Sequence, residues 1–453
     1  MDKNPQVRSD QSTYRIMSNA PLLSSASVRQ HVVFVLPAVA MLVFAPTSSE
    51  PFAIPKLLSV CGIAMAGLWS PRKATIAASA VAVSIVGLLS WSFPGWMLGA
   101  AGLRQGLLAL ITLGAVSTWA RRCNTAEQGG EHLLISLMPA TIIVALYAWV
   151  QALGIDPIVW SVQAAPVSFI GNSSSLGCLM VSIGSLALLS KLHTSKILLT
   201  VIFLAFSVCS ISQSRLVLIC TIVSISIAVV MLAISERSDI WQMALRVLAA
   251  AIGVTTGLSP IGNGTDVVSS GGPGFGLGFG EYSDDVRIEI WSGSIQIIKE
   301  NPFTGTSPGG FSATFGDLIS VNYPSLWELS DYGSVEIIVL DPHNLILQMA
   351  AFYGLPCAFG CIVMLSILLL RNLRNVFRTS RIALHAAAIP IVLLSLVNPI
   401  GIPESVLLAV LFGLLLAPAG SLAAVGLARS APNAQSTPGC SASDPPSASC
   451  RGR

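Results

Sequence analysis

The stretch 209–226, CSISQSRLVLICTIVSIS, sets a single arginine, Arg215, between two long apolar runs. Roughly twenty lipid-compatible residues lie on each side of it, and about 20 are what a helix needs to cross a bilayer. Runs of this kind recur along nearly the whole chain. Composition agrees: of 453 residues 53% are hydrophobic and 10% charged, where soluble domains carry roughly a quarter charged. A membrane barrel would instead show alternating segments of about ten residues, a pattern not seen here. The sequence reads as an all-α polytopic membrane protein.

We count twelve spans, near 32–47, 55–69, 74–93, 103–120, 133–151, 174–190, 196–213, 215–234, 241–259, 345–370, 381–398 and 403–418. Cytoplasmic loops collect lysine and arginine. If both termini lie on that side, so do SPRK (70–73), RRCN (121–124), KLHTSK (191–196), SERSD (235–239) and RNLRNVFRTSR (371–381). With the termini and Arg246 they hold 19 of the 24 basic residues. The expected order is a cytoplasmic N-terminal tail (1–30), spans 1–9 (31–259), one large extracytoplasmic cap loop between spans 9 and 10 (260–343), spans 10–12 (344–418) and a disordered cytoplasmic tail (419–453). Five basic residues remain for the outer side: Lys56, Arg104, Arg215, Arg287 and Lys299. Topology does not require cations there, so each invites its own reason.

The cap opens on GNGTDVVSSGGPGFGLGFGEYSDD (262–285), too rich in glycine for regular structure. It lacks the Gly-Lys-Ser/Thr that would follow in a phosphate loop. VRIEIWSGSIQIIKENP (286–302) then carries apolar residues at helical spacing and stops at Asn-Pro. FTGTSPGGF (303–311) is turn-rich. The polar leader with Lys3, Arg8, Arg15 and Arg29 is too long for an ordinary cleaved signal peptide, and the Ser/Pro/Ala-rich end has the composition of disorder. Nine cysteines without paired spacing argue against a disulfide framework or a zinc site.

Arg215 opens span 8 on the outer side. Its plain reading is an interfacial arginine that snorkels. Its functional reading is a phosphate ligand, because the guanidinium fork matches phosphate oxygens two at a time. Arg104 starts span 4 beside glycines, and Arg287 opens the amphipathic cap helix, where Asp284 or Glu289 offers an ordinary ion pair. His343, in VLDPHN, is the one histidine that maps clearly to the outer side. An Asp-Pro pair fixes the turn before it, Asn344 stands ready to orient its ring, and an imidazole there accepts a proton from an attacking hydroxyl. Asp284, Asp285 and Glu289 could supply oxygen ligands to a cation, although acidic loops are mostly just solvated. GNSSSLG (171–177) reads as a loop capping the start of span 6.

With these residues in hand, the chain resembles the O-antigen ligase and polymerase superfamily of inner-membrane glycosyltransferases. The resemblance runs over roughly 95–370 and its motifs come in family order: LRQGLL (103–108), YAWVQALGIDPIVW (147–160), FIGNSSSLGCLM (169–180), SQSR (212–215), RIEIWSGSIQIIKENPFTGTSPGGF (287–311) and HNLILQMAAFYGL (343–355). The family usually shows Asn-Pro-Asn where this chain has NSS. The resemblance implies an inner-membrane, metal-independent, inverting glycosyltransferase without a cofactor. Its donor would be a glycan on undecaprenyl diphosphate and its acceptor a lipid A core or a growing glycan. Arg215 and Arg287, with Arg104 as a third, would bind the diphosphate, and His343 would help activate the acceptor hydroxyl. There is no nucleotide-binding motif, and no nucleic acid partner is expected. A polysaccharide transporter would call instead for midplane carboxylates and internal repeats, and a non-catalytic scaffold would leave the outward cations without partners. One large cap favours ligase over polymerase.

Overall fold

The structure, a computed structural model, describes residues 25–43, 56–57, 59–61, 107–123, 126–158, 166, 168–170, 172–212, 214–234, 239–258, 281–322, 341–373, 379–398 and 401–417. Among these residues the regular structure is helical throughout. The helices are α1 (Ser25–Leu42), α2 (Leu107–Cys123), α3 (Ala126–Ala152), α4 (Ser173–Leu188), α5 (Lys196–Ile211), α6 (Arg215–Ile234), α7 (Ile240–Leu258), α8 (Glu281–Glu300), α9 (Pro308–Asn322), α10 (Leu345–Tyr353), α11 (Leu355–Leu373), α12 (Thr379–Ser395) and α13 (Ile402–Leu416). Within α3, α6 and α7 the segments Gln128–Ala152, Arg215–Ile234 and Ile240–Leu258 are long and apolar enough to cross a membrane; the other apolar stretches among the described residues, Leu355–Ile367 of α11 included, are shorter. Expected span 3 (74–93), most of span 2, Arg104, the glycine-rich segment 271–280 and the tail 419–453 lie outside the described residues.

Small residues bring the helices together. Gly253 and Gly257, one turn apart on α7, abut the backbone of α5 at Phe203 and Ser207, so close that any Cβ would strike a carbonyl. Lipid gives helices little hydrophobic reason to associate, so close backbone packing does that work. Gly177 of α4 sits against Ser212 and Val217, and further along the same helix Ser185 Oγ meets Ser224 Oγ of α6 at 2.7 Å. Both contacts advance in the same sense, so α4 and α6 run parallel. Gly184 against Ala205 and Phe206 sets α5 antiparallel to α4. Opposite faces of α6, α7 and α11 leave Ile219, Ile222, Val230, Leu248, Phe359 and Ile367 exposed, as a lipid-facing surface requires.

Cations secure the helix ends. Arg246 donates to the carbonyls of Leu188, Ser190 (2.5 Å) and Leu192 past the end of α4, and to Thr194 Oγ1 at 2.9 Å. Arg381 does the same for α13, donating to Leu415 O and Ala417 O. At the other end of the bundle Lys56 donates to Ala40 O (2.9 Å), Met41 O (3.4 Å) and Phe169 O (2.7 Å). Terminal carbonyls and the negative helix pole both favour a cation.

Expected span 10 (345–370) is broken. Gly354, with φ +87°, separates α10 from α11. The turn-rich cap segment seals the break: Leu355 N donates to Pro302 O (2.7 Å), Thr306 N to Ala351 O (2.8 Å) and Ser307 N to Phe352 O (3.1 Å). Backbone groups freed inside a membrane protein need such partners. A second apolar core grows around this clamp, from Ile290 and Ile297 of α8, Phe311 and Phe315 of α9, and Met349 and Phe352 of α10. It anchors the described part of the cap to the broken helix.

Candidate functional site

The turn before α10 is built from four residues. Asp341, buried, accepts the backbone N–H of His343 through Oδ1 at 2.9 Å, an Asx turn that Pro342 stiffens. His343 follows in the left-handed region, φ +52°, half-buried. Asn344 caps α10: its Oδ1 accepts from Ile346 N (3.0 Å) and Leu347 N (3.1 Å), while its Nδ2 donates to Leu396 O (2.8 Å) beyond α12. With its amide committed on both sides, Asn344 acts on His343 through the backbone, fixing where the turn stands relative to α10 and α12.

Arg287 lies half-buried on α8, which packs on α10. The α8 helix begins at Glu281, five residues ahead of the start its apolar spacing predicts, and ends at Glu300, just before the Asn301-Pro302 stop. One turn past Arg287, the indole Nε1 of Trp291 is buried without a hydrogen-bond partner; one turn past Asn344, so is Nε2 of Gln348, a residue only 2% exposed. A buried donor left unmet costs about 1–3 kcal/mol. The side chains of Asp284 and Asp285 lie outside the described residues, and no group of three His, Cys, Asp or Glu with metal-binding arrangement occurs among the described ones.

Arg215 is the first helical residue of α6 and is exposed. A cation at the N-terminus adds to the positive pole of the helix instead of offsetting it, and the combined field favours an anion. The hairpin that delivers it is short: Ser212 Oγ donates to Cys209 O (2.8 Å), and Ser214 O accepts from Leu218 N (3.0 Å). α6 packs on α4, α5, α7 and α12, while α8 packs on α9 and α10. Arg287 and the His343 turn thus sit on helices in direct contact. The helix that Arg215 opens, α6, packs on α12, and the carbonyl just past α12 holds Asn344.

The connection between α3 and α4 completes this end of the bundle. Gly154 at φ +71° ends α3, with Ile155 N bonded to Val150 O and Gly154 N to Gln151 O, a Schellman arrangement. Asp156 then accepts from Tyr147 OH (2.8 Å), Gln151 Nε2 (2.8 Å) and Ile158 N (2.9 Å). Tyr147 stacks on Phe169 at 4.6 Å. Asn172 caps α4 by accepting from Ser175 N at 3.0 Å, as the GNSSSLG stretch leads one to expect. Lys56, 1% exposed, bonds to Phe169 O and feels the charge of Glu404, which is 0% exposed in the first turn of α13. Sequence reasoning passes over Trp291, Gln348 and Glu404. Each looks like an ordinary helical residue until its surroundings are known.

These features define a helical membrane protein in which α8 and α9 are clamped onto a broken helix. Residues 199–362, from α5 into α11, match the family model for O-antigen ligase. The matched region includes Arg215, Arg287, His343 and Asn344. No curated protein and no solved structure matches the chain.

Proposed function

We propose that the chain transfers a glycan from an undecaprenyl-diphosphate carrier to an acceptor hydroxyl at the outer face of the inner membrane, with a lipid A core as acceptor. The observation that carries this reading is the O-antigen ligase match, which spans all three proposed site helices, α6, α8 and α10. Arg215 at the positive pole of α6 and Arg287 on α8 bind the diphosphate, with Arg104 as a third cation. As the glycosidic C–O bond breaks, charge grows on the diphosphate, and preorganised cations stabilise it there. His343, held by Asp341 and by the Asn344 cap, takes the proton from the acceptor hydroxyl as it attacks the anomeric carbon. Inversion and independence of metal belong to the same proposal, as does an orientation with both termini cytoplasmic. Polymerisation of repeat units would use the same residues and is the second reading; the single cap favours ligation.

The test uses purified wild type, His343→Ala and Arg215→Lys, with undecaprenyl-diphosphate-linked glycan, a lipid A core acceptor and a chelator throughout. Wild type should attach glycan to the core. His343→Ala should lose about 10²–10⁴-fold in turnover, the usual worth of a general base. Arg215→Lys should lose most activity, since a point charge does not replace the fork. Chain growth without core attachment would make the enzyme a polymerase. Full activity in both variants would remove these residues from the site.

A further inference from the structure

Among the buried polar atoms left unmet in the described residues, two N–H donors stand on the helices that carry or follow the proposed site. Nε2 of Gln348 and Nε1 of Trp291 meet no acceptor, although almost every buried N–H in folded proteins does. They occupy two helices that pack on one another, α8 and α10. Trp291 stands at i+4 from Arg287, a spacing that puts the two on one face of α8, and Gln348 lies in the first turn of the helix that Asn344 caps. A helical turn rises about 5.4 Å, so Trp291 lies one turn from Arg287, and Gln348 one turn from the cap that holds the His343 turn in place. The ring of Trp291 packs against the second apolar core, which fixes its position.

The chemistry of the donors narrows the ligand. A phosphate offers acceptors only, and guanidinium groups serve it best. An amide carries both a donor and an acceptor, and a hydroxyl both donates and accepts. A neutral amide and an indole N–H, carried by two helices that pack together, therefore suit hydroxyl oxygens rather than anionic ones. Resting on the transfer reaction proposed above, we propose that Trp291 and Gln348 bind hydroxyls of the sugar that carries the diphosphate, and thereby select the glycan. Arg215 and Arg287 recognise what every carrier shares; Gln348 and Trp291 recognise what differs.

The experiment measures binding of undecaprenyl diphosphate, and of its glucosyl, galactosyl and N-acetylglucosaminyl forms, to the full-length protein in lipid nanodiscs. Wild type, Gln348→Leu and Trp291→Phe are compared, with the melting temperature of each lipid-free protein recorded in parallel. Wild type should prefer one sugar-bearing form over the bare carrier. Each variant should weaken that form by about 3- to 10-fold, the worth of one neutral hydrogen bond, and leave bare carrier binding unchanged. Gln348→Leu should not lower the melting temperature, because it removes a donor the free protein leaves unmet. A lower melting temperature with unchanged binding would make Gln348 an internal packing residue and overturn the inference. So would equal weakening of all four ligands, or no sugar preference in a wild type that binds the bare carrier. Failure of wild type to bind any of them would overturn the transfer reading and this inference with it.

Discussion

His343 combines two properties that mutation can separate. Its backbone is left-handed, a conformation that costs a residue with a Cβ roughly 1–2 kcal/mol, and its imidazole is the proposed base. His343→Gly removes both at once. It should melt at the same temperature as wild type or slightly higher, while losing as much turnover as His343→Ala. Thermal unfolding in detergent beside a transfer assay checks this; a lower melting temperature would mean that the imidazole itself holds the turn together. The turn is legible in the sequence because its cause is local: Asp341 reaches only two residues along the chain, and Asn344 two and three. The same holds for Asn172, which caps α4 from the residue just before it. The tie from Asn344 to Leu396 spans 52 positions, and no local pattern announces it.

Among the elements, the clearest departure from the sequence reading is the broken span at Gly354. An apolar run from 345 to 370 has the length and hydropathy of one helix, and the glycine in it is easily passed over. The break depends on Phe303, whose carbonyl occupies the space a Cβ at position 354 would need, and on Gly305, which packs reciprocally against Phe352 with φ +64°. Gly354→Ala therefore meets both a forbidden backbone angle, worth on the order of 1–3 kcal/mol, and a steric clash. It should lower the melting temperature and reduce transfer, because Ala351 and Phe352 carry the hydrogen bonds that hold the cap clamp. Gly360, in the open on α11, is the matched control: nothing lies near its Cβ position, and Gly360→Ala should be close to neutral. Equal losses at the two positions would point to a general intolerance of an added methyl group in this part of the chain and away from the clamp.

At the scale of the whole molecule, buried Lys56 ties the end of α1 to the Phe169 turn, and the charge of buried Glu404, in the first turn of α13, acts on it from nearby. For opposite charges buried near one another, removing one typically costs about 3–5 kcal/mol, whereas replacing both with apolar residues is often tolerated. Lys56→Met and Glu404→Leu should each melt well below wild type, and the double variant should recover much of the loss. Additive losses in this double-mutant cycle would show that the two side chains act separately. The extra bonds of Lys56 to three carbonyls make its single substitution the more damaging of the two.

The sequence by itself determined that this chain is a helical membrane protein, where its principal helices run, and which end of each favours cations. Those properties follow from the summed transfer energy of successive side chains and from capping groups a few residues apart. The tertiary structure alone decided that the segment 302–307 is clamped onto a broken helix, that Lys56 and Glu404 are both buried, and that Trp291 and Gln348 are left with unmet donors. Such outcomes depend on which carbonyl, carboxylate or void another helix brings alongside, and residues hundreds of positions apart carry no mark of that meeting.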